Sequence, residues 1–214
     1  MPVANAENCR KNIPKWLGMG YEVVLLQDRF EFDVPGAKIV RMPDKQYLGW
    51  PKSVNHLVKN VIDPEVGIVV AAGDDMTPDP AHRAQEIARA YWERFPDGFG
   101  ILQPIGDDLD GTDRICGSPW MGRSWLDNAY LGNGPMCGEY FQFYADEELL
   151  NVSRLLGVLW QEPLFTQYHD HWTRKGENRP HYQDLSQNHW ESDKAIFERR
   201  KAAGFPGHEK AGAG

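Results

Sequence analysis

Two adjacent carboxylates, Asp74 and Asp75, end an apolar run in VGIVVAAGDDMTPDP, residues 66–80. Neighbouring acids repel unless a cation or a basic ligand compensates them. Their hard oxygens suit Mg²⁺ or Mn²⁺, ions that commonly share a coordination shell with substrate phosphates. A cation-bridged diphosphate is one chemistry open to the pair; a turn carrying two solvated acids is the other. His169 and His171 stand two apart, on the same side of an extended segment, where a neutral imidazole can join a carboxylate on a metal. The pair is expected to supply one such ligand rather than two. Asp146, Glu147 and Glu148 open a helical pattern. Acids there complement the helix dipole, and one of them can instead act as a general base toward a hydroxyl.

Strand ends must bring such residues together. Residues 67–72 are apolar without alternation, as in a central strand covered on both faces. Ligands of open α/β sheets gather beyond the carboxyl ends of strands, so Asp74 and Asp75 fall where a site is expected. Asp79 is placed to cap the following helix, with Pro80 in its first turn. Asn5, Asp28 and Asp107-Asp108 also follow apolar runs, and a parallel sheet brings at least the first two to the edge that holds Asp74. Asp28 can accept hydrogen bonds from a base or ribose, or cap a turn.

Further strands are predicted at 21–27, 37–42 (closed by Pro43-Asp44), 99–105 and 158–164, and helices near 13–17, 50–62, 81–94, 139–157 and 191–203. This alternation predicts an α/β fold, a mostly parallel sheet with helices on both faces. Residues 106–138, rich in Gly and Asp, read as a long ordered loop whose Trp120, Trp125 and Tyr130 offer apolar faces to a sugar or base.

The length allows one α/β domain, and no apolar run approaches a transmembrane span. With no signal-peptide core at the N-terminus, a cytoplasmic location is expected. Cys9, Cys116 and Cys137 show no metal or disulfide spacing. The net charge of −8 argues against strong binding to a polyanion. Residues 172–214, however, hold eight basic against six acidic residues, a modestly basic tail ending in a flexible GHEKAGAG. Dinucleotide, phosphate-loop and hydrolase-elbow motifs are absent.

Over roughly residues 2–172 these pieces resemble the family 2 glycosyltransferases of the GT-A fold, in particular the small ones found in phage genomes. The resemblance carries Asp28 of LLQD to the nucleotide base, Gly49, Lys52 and Asn55 of YLGWPKSVN to the nucleotide, and Asn5 to the donor pocket. AAGDDM is similar to the family's metal-binding strand end, which implies Asp74 near the ribose, Asp75 on Mn²⁺ or Mg²⁺, and Gly73 in place of a first acid. YADEELLNVSRLLG resembles the helix that carries the base, which implies Asp146 as catalytic residue with Arg154 and Gly157 at later positions and Ala145 replacing the usual Glu. The family's distal metal-binding His corresponds to His169 or His171.

The implied organisation is a domain over 1–172, with a nucleotide-sugar half (1–105) and a loop-rich acceptor half (106–172), then a basic C-terminal extension (173–214) packed on it. The implied activity is metal-dependent, inverting transfer from a nucleotide sugar, a UDP-sugar being favoured, to a hydroxyl. The acceptor is open: a hydroxymethylated base in DNA, which the basic tail and loop aromatics would meet, or a glycan, lipid-linked or protein acceptor. A nucleotidyltransferase and a non-catalytic module that binds a sugar nucleotide or glycan are the competing readings.

Overall fold

The computed structural model describes residues 1–29, 31–43, 45–176, 178 and 184–207. Asp44, the middle of the predicted polar stretch and the predicted flexible end lie outside them.

Residues 1–3 run beside β1 (Val24–Gln27), with Pro2 bridging Leu26 in parallel, and β2 (Lys38–Arg41) pairs in parallel on the other edge of β1. Asn5 caps α1 (Ala6–Gly18) through its side-chain oxygen, which accepts the Glu7 and Asn8 amides at 2.8 and 3.3 Å. The helix buries Cys9, Ile13 and Trp16 against Val23 and Leu25. Gly49 opens α2 (Trp50–Asn60), whose Val54, Leu57 and Val58 face inward. Then come β3 (Ile68–Val70), the short β4 (Met76–Thr77) and α3 (Ala84–Arg94). Asp79 caps the turn ahead of α3, accepting the Ala81 and His82 amides at 2.7 and 2.8 Å.

The chain continues through β5 (Ile101–Pro104), β6 (Trp120–Gly122), α4 (Arg123–Asn128), α5 (Ala145–Leu155), β7 (Leu159–Glu162) and β8 (Tyr168–His169). A short α6 (Asp184–Gln187) and the longer α7 (Trp190–Ala202) follow. The larger sheet has the order β3-β6-β5-β7. In it β6 is antiparallel to both neighbours and β5 is parallel to β7, so β3, β5 and β7 run the same way. The fold is therefore α/β with mixed, partly parallel sheets. β4 and β8 form a separate antiparallel pair that seats Met76 opposite His169.

Two expectations are corrected. The stretch 106–138 is not one long loop, because it contains β6, a central strand, and α4. The expected acceptor faces are in the interior: Trp120, Trp125 and Tyr130 are 2, 0 and 6% exposed. Trp125 donates its indole N–H to the Pro135 carbonyl at 3.1 Å and packs with Leu126, Met136 and Leu149. Folding β6 and α4 over the sheet turns these rings into core.

Arg174, Arg199 and Arg200 of the predicted basic tail are paired within the chain. On α7 the buried positions are Asp193, Phe197 and Arg200, a stripe at helical spacing. Arg200 forks onto the fully buried Glu148 of α5, with Nε to Oε2 and Nη2 to Oε1 both at 2.8 Å. Tyr140 donates its hydroxyl to the same carboxylate at 2.6 Å, and Glu139 pairs with Arg199 and Arg200. Desolvating such a pair is costly, yet removing one partner leaves an uncompensated buried charge. Arg200→Met is therefore expected to destabilise the protein by about 3–5 kcal/mol in urea unfolding, whereas Glu148→Met/Arg200→Met recovers most of the loss. Equal stability of Arg200→Met and the native protein would show that α7 is not anchored this way.

Candidate functional site

Residues 1–3 pair with β1, whose other edge holds β2, and β3 belongs to the separate four-stranded sheet. The segment after β3 meets the start of α1 between these two parts. Across this point Asp74, itself buried, accepts the Ala4 and Asn5 amides on Oδ2, each at 2.6 Å. Asn12 adds a bond from Nδ2 to the Asp74 carbonyl at 3.0 Å. Burial, and then the charge of Asp75, push the Asp74 carboxyl up to about 6 against the pull of those amides. Asp74 thus anchors the start of α1, and Asn5, the other residue assigned here to the donor, spends its side chain on the helix cap.

Asp75 points the other way. Its Oδ2 lies 3.1 Å from Nε2 of His169, and its carbonyl accepts the Asp170 amide at 2.9 Å. A Cβ at Gly73 would stand 2.7 Å from Asp75 Oδ1. Glycine therefore makes room for this carboxylate, and an acid at 73 would displace it. Burial works against the His169 proton, but the hydrogen bond and charge of Asp75 and the charge of Asp107 outweigh it and raise its pKa above the usual histidine value. His171 is edge-on to His169, with ring centroids 4.9 Å apart, and bonds through Nδ1 to Thr173 at 2.7 Å. Of the two histidines, His169 is the one aimed at Asp75.

Asp107 and Arg174 hold this arrangement together. Asp107 accepts the His169 amide at 3.0 Å, and Arg174 donates from Nε to the His169 carbonyl at 2.9 Å. The same guanidinium pairs with Asp107 and Asp108 and lies 4.4 Å over the Tyr168 ring. Asp107-Asp108 was visible as a strand-end pair; Arg174, counted among the tail's bases, gave no signal of its own.

A second group of predicted residues lies around α2 and α5. Asp28 follows β1, is 6% exposed and contacts Arg29 at 3.3 Å; burial raises its pKa and Arg29 opposes that. Arg29 lies 4.7 Å over the Tyr47 ring, and Tyr47 meets Phe141 edge-on at 5.2 Å. Gly49 has φ of 83°, and a Cβ there would fall 1.9 Å from the Phe141 carbonyl, so only glycine fits. Lys52 is exposed on the first turn of α2. Asn55 is buried, with both ends of its amide engaged by the Met136 backbone at 2.8 and 3.1 Å. The structure thus uses Asn55 to hold the loop before α5.

Asp146 sits in the first turn of α5, where Oδ1 accepts the Glu147 amide at 3.0 Å. Burial raises its carboxyl to about 6. Among the described residues no hydrogen bond or ion pair joins Asp146 to Asp75. Asp75 with His169 and Asp146 are thus separate polar stations among the described residues.

No group of three or more His, Cys, Asp or Glu that could hold a metal occurs among the described residues. The 3.1 Å contact of Asp75 Oδ2 with His169 Nε2 is that of a hydrogen-bonded pair, and it equals the spacing of two neighbouring donors bound to one ion at about 2.1 Å. No helix among the described residues is long and apolar enough to cross a membrane. Comparison of the chain with family models, curated proteins and solved structures gives no match.

Because the folded pKa of Asp146 lies above its unfolded value, its contribution to stability is complete below about 4 and is lost as pH rises through about 6. Asp146→Asn keeps an acceptor for the Glu147 amide and removes that loss. The variant is expected to gain stability relative to the native protein between pH 4 and pH 7.5 in urea titrations. A difference that does not change with pH would mean that Asp146 is not desolvated.

Proposed function

We propose that the protein is a metal-dependent, inverting glycosyltransferase of the GT-A kind, which uses a nucleotide-sugar donor, a UDP-sugar being favoured. The observation that carries this reading is the 3.1 Å approach of Asp75 Oδ2 to His169 Nε2. Two protein ligands leave most of an octahedral shell open, which suits Mg²⁺ or Mn²⁺ shared with a diphosphate. When bound, the cation offsets the charge that develops on the leaving diphosphate. Asp75 and His169 would hold it, with Asp107 and Arg174 fixing the imidazole.

Asp146 supplies the other half of the chemistry. Its raised pKa makes it a competent base near neutrality. It takes the proton of an acceptor hydroxyl as the oxygen bonds to the anomeric carbon. The carbon–oxygen bond to the diphosphate breaks on the opposite face, and the configuration inverts. In this reading Asp28 and Gly49, linked through Arg29, Tyr47 and Phe141, would contact the nucleotide. The acceptor stays open; Arg174, Arg199 and Arg200, paired within the chain, leave fewer of the tail's bases to meet DNA phosphates.

One observation favours a second reading, a module that binds a sugar nucleotide without turnover: Asn5, Asn55 and Asp74 are committed to the chain's own backbone. Thermal unfolding with UDP-, GDP- and other nucleotide sugars, with and without Mn²⁺, tests both. One donor is expected to raise the melting temperature by about 5–10 °C at a hundredfold excess over Kd, only with metal and not in Asp75→Ala. Asp146→Asn should keep that shift while donor hydrolysis falls about 10²–10⁴-fold. A shift without any hydrolysis by the native protein selects the binding module; no shift with any donor sinks the donor site.

A further inference from the structure

The run Tyr140 to Tyr144 carries four aromatic residues in five, a signal that the function above leaves unused. Phe141 stacks on His189, with centroids 3.7 Å apart and planes at 17°, and Tyr47 closes on its edge. Trp190 stands edge-on to Phe143 at 4.8 Å and lies 5.2 Å from Tyr144. None of these six rings is fully buried, and Trp190 is 37% exposed. A tryptophan braced by two rings and still open to solvent is a rigid apolar surface of the kind that proteins use for contact.

The ledge is held in place from behind. The Asp193 carboxylate accepts three successive amides, those of Phe141, Gln142 and Phe143, at 3.0, 2.8 and 2.9 Å. Tyr144 has φ of 66°, the left-handed region that a non-glycine residue enters at a cost. Two residues later comes Asp146, and the Phe141 carbonyl closes on Gly49. The aromatic surface and the candidate base therefore belong to one continuous stretch.

Charge selects what fits there. Glu147, Glu191 and Glu198 lie near enough to Tyr144 to add to the effect of burial on its hydroxyl. Arg199 and Arg200 are paired with Glu139 and Glu148, while Lys201 lies 5.6 Å over the Phe197 ring that stacks on Tyr144, and Arg29 lies 4.7 Å over Tyr47. A neutral sugar suits a surface of mixed charge: its C–H face rests on the negative face of an aromatic ring, and carboxylates accept its hydroxyls.

We propose that this ledge is the acceptor subsite and that it takes a neutral pyranose of a glycan against Trp190. Its place in catalysis rests on the glycosyltransferase reading; glycan binding itself does not. The full chain is applied to an array of neutral glycans that also carries sialylated and phosphorylated glycans and a single-stranded oligonucleotide, and the strongest neutral ligand is then titrated. Neutral glycans are expected to bind. Trp190→Ala should weaken the titrated ligand at least fivefold, Trp190→Phe should restore it, and Asp75→Ala should leave it unchanged. No neutral glycan bound, a preference for the oligonucleotide, or a loss under fivefold in a folded Trp190→Ala would overturn the proposal. Donor binding that persists while glycan binding fails removes the ledge alone; glycan binding without donor binding removes the donor site alone.

Discussion

The carboxylate of Asp74 joins two parts of the molecule that share no strand pairing among the described elements. Residues 1–3 pair with β1, and β3 pairs with β6, so the polar seam between the two sheets is made by side chains. Asp74 takes the Ala4 and Asn5 amides, Asn12 reaches the Asp74 carbonyl, and the Trp16 indole donates to the Met76 carbonyl at 2.9 Å. A buried carboxylate is costly on its own, and two short amide bonds are what make it tolerable. Without it the start of α1 would lose its register against the segment after β3.

The C-terminal region solves the same problem with opposite charges. α7 meets the body through Asp193, Phe197 and Arg200, and only one of these is apolar. Asp193 gathers backbone amides ahead of α5, while Arg200 neutralises Glu148 inside it. Both contacts converge on the segment that carries Asp146. The orientation of the candidate base thus depends on a helix more than forty residues further along the chain.

The apolar periodicity of α2, α3 and α5 and the unbroken apolar run of β3 were plain in the sequence because burial of one face, or of both, dictates them. The acids at the ends of β1, β3 and β5 were equally visible, since a strand that stops on carboxylates has few places to go but the edge. Three features were not. β6 is three residues long in a Gly- and Asp-rich stretch, and its antiparallel pairing depends on partners distant in sequence. The interior place of Trp120, Trp125 and Tyr130 follows from that strand, so an exposed and a buried ring looked alike. The stripe on α7 alternates charge with apolar surface, and hydrophobic periodicity does not register a face held by an ion pair and backbone amides.

Asp74 and Asp75 show why adjacent residues of one type need not share a task. Asp74 and Asp75 are the central residues of a turn closed by the Met76 amide on the Gly73 carbonyl at 3.2 Å, and their carboxylates diverge. Asp74 turns toward the interior, meeting the amides at the start of α1. Asp75 faces β8, where Asp75 Oδ2 meets His169. Gly73 completes the division, since a side chain there would press on the Asp75 carboxylate. Two adjacent carboxylates would repel in a shared ligand shell; turned apart, one secures the fold and the other meets an imidazole. The same logic separates Glu148, buried and neutralised by Arg200, from Asp146 two positions earlier in the first turn of α5, where desolvation raises the pKa without supplying a partner cation. In both pairs one acid is fixed by donors of the chain that hold the fold, Asp74 by amides and Glu148 by Arg200, and its neighbour is the candidate for chemistry.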